Sequence, residues 1–151
     1  EAGGSGEIGP FVFATDGSGA PNLTLKDSDG VDGIDGQVLY MNGPKVLDFT
    51  MDAVPASVTR LIDKAGLNLV DIDLFIFHQA SKVVLDRVGR KLGLDETKMF
   101  RNYQDMGNTV SATIPVAIKQ AESLGVISQN MTVLLMGFGV GYSLAGCIVR
   151  T

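Results

Sequence analysis

From Gln37 onward the apolar positions switch between two periods, and the switches predict the elements. "QVLYM" (37–41) predicts a short strand, and from Lys45 to Ala65 the residues Val46, Phe49, Ala53, Leu61, Ile62 and Ala65 fall at helical spacing. Pro55 inside that stretch predicts a kink or a break, and Gly66 a helix stop. "DLFIF" (73–77) is a continuous apolar run of the kind buried on both faces of a sheet. A helix is predicted from Ser81 to Leu92, ended by Gly93, then a brief strand at "MFRNY" (99–103). Another helix runs from Val110 to Leu124, with Ser111 near its start and Gly125 after it. "MTVLLMGFG" (131–139) and "YSLAGCIVR" (142–150) read as two strands joined by a glycine-rich turn. The first 36 residues are rich in Gly, Asp and Ser, with strands predicted at "PFVFAT" (10–15) and "NLTLK" (22–26). Strands alternating with helices predict an α/β layered fold, divided into a lead-in segment and loop at 1–36 and a domain at 37–151.

Composition sharpens this picture. With 151 residues the chain suits one domain or one half of a two-lobed protein. At 45% hydrophobic, 19% charged and a mean hydropathy of +0.23, it holds more apolar surface than a small solvated domain needs. Another domain or subunit is expected to cover some of it. A net charge of −5 and a pI of about 4.7 argue against nucleic acid as a partner. No apolar run reaches the roughly 18 residues of a membrane helix, and no secretory signal pattern opens the chain, so no membrane association is expected. The single cysteine, Cys147, cannot form an internal disulfide, which fits a reducing, cytoplasmic setting. Glu1 in place of an initiator Met is read as the mark of a processed or trimmed piece.

In α/β sheets functional groups gather beyond the carboxyl ends of strands. His78, the only histidine, stands there, immediately after "DLFIF". By position it is either a reactive group or a satisfied structural side chain. Asn108, in "MGNTVSATIP", lies in a loop before a helix, where its amide can project into a cleft or simply cap a turn. "GFGVGYS" (137–143) lets backbone approach a bound group closely; it is also a plain glycine hairpin, and no dinucleotide fingerprint, because strand rather than helix follows.

Taken together, "HQAS", "GNTVSATIP" and "GFGVGYSLAG", in this order and spacing, resemble the carboxyl-terminal half of the ketoacyl-ACP synthase III family. The likeness runs from about Met41 to the end and extends more loosely to "IGPFVFATDGSGA". It implies a thiolase-like fold, of which this chain is one of two pseudo-repeated lobes with a mixed sheet and helices, in an enzyme that forms a homodimer. Relatives carry a Cys-His-Asn triad. The resemblance places its histidine on His78 and its asparagine on Asn108, with the nucleophilic cysteine in an amino-terminal half of the same enzyme. Cys147 is a poor substitute, set mid-strand with no helix N-terminus or base beside it.

The implied reaction is decarboxylative condensation of an acyl group, taken from acyl-CoA onto the cysteine, with malonyl-ACP in fatty acid biosynthesis. Acyl-CoA enters as substrate and no cofactor is implied; the partners are acyl carrier protein and the two thioesters. Phe138, Gly139, Val140, Gly141 and Ser81 are the implied oxyanion and substrate-binding positions. Where many relatives have three consecutive glycines this chain has Val140 in the middle, and "HQAS" departs from the commoner "HQAN" at Ser81.

The helix after His78 carries Lys82, Arg87, Arg90 and Lys91 in an otherwise acidic protein. Such charge is usually a solvated face; relatives use this helix to dock the acidic carrier protein. The run "KDSDGVDGIDG" offers Asp27, Asp29, Asp32 and Asp35, but its spacing is not that of an EF-hand loop, and an acidic surface loop is expected there rather than a metal site. Two rival readings stay open: a thiolase-fold acyltransferase of secondary metabolism or surface-polysaccharide synthesis, and a non-catalytic interaction domain.

Overall fold

The computed structural model describes residues 6–27 and 36–151. Asp29, Asp32 and Asp35 of the acidic run therefore lie outside the described residues. In chain order the strands are β1 (Glu7–Thr15), β2 (Leu23–Asp27), β3 (Gln37–Met41), β4 (Leu74–Phe77), β5 (Thr132–Gly139) and β6 (Ser143–Arg150). The α-helices are α1 (Gly43–Ala65), α2 (Lys82–Leu92), α3 (Tyr103–Met106) and α4 (Thr113–Ser123).

All four side chains of β4 are buried, and the two-residue period of a strand divides them between two cores. Phe75 and Phe77 pack with Val54, Val58 and Leu61 of α1 and with Leu85 and Val88 of α2. Leu74 and Ile76 face the other way, against Ala117 of α4 and Val133 of β5. β4 runs parallel to β5, β5 antiparallel to β6, and β6 antiparallel to β1, giving a mixed sheet in the order β1-β6-β5-β4. β2 and β3 form a separate antiparallel ribbon, with Leu23 opposite Met41 and Leu25 opposite Leu39. The Gly- and Asp-rich lead-in thus contributes β1 to the main sheet and β2 to the ribbon.

The helix boundaries follow local chemistry. Asn42 caps α1 by accepting from the Lys45 N–H, and Ser81 caps α2 by accepting from the Val84 N–H. Gly66 and Gly93 end the two helices in the left-handed conformation, at φ 66° and 65°. Three sequence expectations need correction. α1 runs unbroken through Pro55: the interior proline costs about 3 kcal/mol, and burial of Val54, Val58, Leu61 and Ile62 around it, worth roughly 1.5–3 kcal/mol per side chain, outweighs that. "MFRNY" is not a strand. Met99 makes one isolated bridge to Phe75, and the chain then turns away because the Asn102 N–H is taken by the Gln79 side chain at 2.9 Å. The last helix starts at Thr113 instead of Val110, because Val110, at φ 55°, has the wrong hand to begin it.

α1 covers β1, β5 and β6 on one face of the sheet. The opposite face carries α4 only over β4 and β5, so Phe11 and Phe13 of β1 and Ala145 of β6 stand exposed there, with Phe13 at 71%. Lys64 donates to the Phe11 carbonyl at 3.0 Å, partly covering this edge. Replacing Phe77 by Ala should cost about 3–5 kcal/mol of unfolding free energy. The denaturant midpoint checks this; a loss below about 1 kcal/mol would show that β4 is not the centre of the core.

Candidate functional site

The double burial of β4 ends abruptly at His78. Its backbone N–H still bonds to the Met136 carbonyl of β5, so the residue leaves the sheet with its position fixed by the ladder. Gln79 then turns back and is wholly buried. Its amide donates to the carbonyls of Phe77 at 2.8 Å and Phe100 at 3.3 Å and accepts from Asn102 N–H, tying the 100–102 segment to the strand end. The His78 ring is half-buried and meets Phe138 edge-on, with centroids 5.3 Å apart and planes at 87°. Burial lowers its pKa below the ordinary imidazole value, which keeps the ring neutral near pH 7.

Asn108 reaches the same place from the loop between α3 and α4. Its Oδ1 accepts from the Val110 N–H at 2.9 Å, which leaves the NH2 as the end free to meet a ligand. Val110 holds this turn in the left-handed region at φ 55°, costly for a β-branched residue by about 1–2 kcal/mol. His78, Asn108, Phe138, Gly139 and Val140 all border one cavity of about 360 Å³. Its far wall is apolar and comes from the ribbon, through Leu23, Leu39 and Met41. Val140, 60% exposed, stands on the rim. The site therefore offers a neutral imidazole, an oriented amide and a glycine-flanked turn beside a largely apolar hollow. Such an arrangement can bind a carbonyl oxygen and stabilise negative charge developing on it.

Not every residue singled out from the sequence joins this cavity. Ser81 is exposed and its hydroxyl caps α2, and Gly141, at φ 139°, lies in the turn just outside the lining. Cys147 sits mid-strand opposite Leu135 and Phe11, away from the cavity, and burial pushes its thiol pKa up, the wrong direction for a nucleophile. On α2 the four cations divide. Lys82 pairs with Asp86, and Lys91 with Asp52 at 3.2 Å. Among the described residues Arg87 and Arg90 have no carboxylate partner. The Lys82 hydrogen bond, with Arg101 on the other side at 2.6 Å, holds the Asp86 carboxyl below the usual range.

Residues 62–151 match the family described as 3-oxoacyl-[acyl-carrier-protein (ACP)] synthase III C terminal. The chain belongs to this family. A beta-ketoacyl-[acyl-carrier-protein] synthase III from Synechocystis is 39% identical over 114 residues, which are 76% of this chain and 34% of that protein. The 2.1 Å crystal structure of a 3-oxoacyl-(acyl-carrier-protein) synthase III superposes with a TM-score of 0.86 at 39% identity, covering 95% of this chain and 48% of that one. A priming beta-ketosynthase from the R1128 polyketide biosynthetic pathway gives 0.84 at 29% identity, covering 95% and 45%. The chain thus spans less than half the length of each of these relatives. The fold is α/β and thiolase-like, as the motifs implied.

Within this synthase III carboxyl-terminal fold, sequence reasoning missed Gln79, Thr113 and the ribbon wall. Gln79 carried a signal, a second polar residue in succession at the end of a buried run. Leu23, Leu39 and Met41 carried none, since the ribbon meets the cavity through folding across a long stretch of chain. Because His78 is the only histidine, its titration can be followed without assignment. Its Cε1 proton resonance should titrate with a pKa below about 6.5. The neutral form is favoured on folding, so this residue's contribution to stability is fully present above the unfolded value and falls away as pH drops from there to the folded one. A folded pKa at or above about 6.5 would contradict the burial of the ring.

Proposed function

We propose that the chain is the carboxyl-terminal half of a ketoacyl-ACP synthase III-like condensing enzyme and supplies the decarboxylation half of its active site. The observation that carries this is the meeting of His78 and Asn108 at one cavity, with the acceptor end of the Asn108 amide already occupied. In the proposed reaction a cysteine thiolate from the amino-terminal half takes an acyl group from acyl-CoA, releasing CoA. Malonyl-ACP then loses CO2, and the electron pair of the broken C–C bond moves onto the thioester oxygen as an enolate. His78 N–H and Asn108 NH2 donate to that oxygen, each worth on the order of 3 kcal/mol by comparison with oxyanion-hole deletions. The enolate carbon attacks the acyl-cysteine carbonyl, whose developing oxyanion takes a backbone N–H of the 139–141 turn. Collapse expels the thiolate and leaves a 3-oxoacyl thioester on the carrier.

The uncovered face bearing Phe11 and Phe13 supports a covering half, and the apolar ribbon wall supports a thioester with an apolar acyl group. Alone, the chain should catalyse no condensation. Reconstituted with a cysteine-bearing amino-terminal half, His78→Ala and Asn108→Ala should each lower condensation about 10²–10³-fold while leaving acylation of the cysteine nearly intact. Undiminished condensation in both variants would favour a non-catalytic interaction domain instead. The likeness to a priming ketosynthase of polyketide synthesis favours a second reading, with the same chemistry and another acyl donor; the acyl-CoA preference of the reconstituted enzyme separates the two.

Carrier docking is proposed on α2, through Arg87 and Arg90, since Lys82 and Lys91 are engaged by carboxylates of the chain itself. Charge reversal at Arg87 and Arg90 together should raise KM for malonyl-ACP at low salt by roughly tenfold, with little effect on kcat. Equal KM values for the variant and the unaltered enzyme would remove this surface from the proposal.

A further inference from the structure

The tautomer of His78 decides whether the nitrogen facing the cavity donates or accepts a hydrogen bond, and one buried side chain lies against the other nitrogen. Thr113, the first residue of α4, is 2% exposed, and its Oγ1 lies 2.6 Å from His78 Nδ1 and 3.1 Å from the Val110 carbonyl. The hydroxyl has a single proton to give. We propose that Thr113 is a positioning residue that donates this proton to His78 Nδ1, so that the ring carries its own proton on Nε2, the nitrogen left to address the cavity. The inference rests on reading His78 as a hydrogen-bond donor in the proposed condensation.

Three observations favour this direction. The separation of 2.6 Å is shorter than an N–H donor usually makes to oxygen and falls within the range of hydroxyl donors. The Val110 carbonyl does not need the hydroxyl, because it already accepts the backbone N–H of Thr113. The ring's burial keeps it neutral, so one of its nitrogens must be an acceptor, and Nδ1 is the nitrogen with a protein donor beside it. Among the described residues no protein group partners Nε2.

The same residue, Val110, also meets the second donor. Val110 N–H occupies Asn108 Oδ1, while Val110 C=O lies against the Thr113 side chain. A single left-handed residue therefore borders both groups: its N–H turns the Asn108 NH2 outward, and its carbonyl lies beside the hydroxyl that faces His78. Neither residue has a role in packing that would demand this geometry, for Asn108 and Val110 are both exposed.

The one histidine makes a direct test practical. In the full chain, 15N-labelled and held above the imidazole pKa, a long-range 1H–15N correlation should show a protonated, pyrrole-type Nε2. The same spectrum should show an unprotonated Nδ1 shifted by an accepted hydrogen bond. Thr113→Ser keeps the hydroxyl and should preserve the pattern; Thr113→Val should move the Nδ1 resonance to that of an unbonded ring nitrogen. A proton on Nδ1 in the unaltered chain, or a Thr113→Val spectrum identical to it, overturns the assignment. The readout uses no substrate, so it is separable from the condensing activity. In the reconstituted enzyme, Thr113→Val should lower kcat at least tenfold with KM for malonyl-ACP within about twofold, and Thr113→Ser should restore it. The expected spectra together with an unaltered reconstituted enzyme that acylates its cysteine but fails to condense would uphold the tautomer and count against the proposed function alone.

Discussion

Everything at the cavity depends on a strand with no solvent side. β4 is only four residues long, yet it divides the molecule into two cores, Phe75 and Phe77 against α1 and α2 and Leu74 and Ile76 against α4. Such a strand cannot slide in register without exposing aromatic surface or burying charge. Its carboxyl end is therefore among the best-fixed points in the fold, and His78 is the first side chain past it. Gln79 strengthens that point from within, spending both ends of its amide on backbone that the strand alone would leave unpaired. Precision at the site is inherited from the core, and the loop bearing Asn108 has only to meet a histidine that is already in place.

The residues legible in the sequence are those whose effect is local. Ser81, Gly66 and Gly93 act on the turn they occupy, and the helices they bound are where the pattern puts them. Pro55 was misleading for the same reason: its local cost is real, but the packing of residues on either side decides the outcome. "MFRNY" has strand composition but lost its ladder to a side chain 23 residues away. The cavity shows the same divide. His78, Asn108 and the 137–143 turn announced themselves by motif, whereas the ribbon wall and the contact of Thr113 with His78, 35 residues apart, exist only once the chain has folded.

Charge on α2 also reads differently in three dimensions. Four cations in sequence suggest a uniform basic face, but Asp86 lies within the same helix and Asp52 on its neighbour, and each engages one lysine. What remains is a narrow pair of guanidinium groups, better suited to bidentate contact with carboxylate or phosphate than a diffuse lysine field is. Of the two engaged lysines, Lys91 ties α2 to α1 through Asp52, at a junction that also frames the core behind β4, while Lys82 braces α2 itself.

The exposed strip on β1 bears on how such a chain must live. β1 is the outer strand of the sheet, with aromatic side chains on its open face and a backbone edge that Lys64 covers at a single carbonyl. Unpaired strand edges recruit other strands, and apolar faces recruit other faces, without regard to whether the recruit is the proper one. The chain in isolation therefore faces a race between correct cover and self-association, and the rate of the second rises with its own concentration. How quickly a complementary surface reaches β1 thus sets how much of the material escapes self-association.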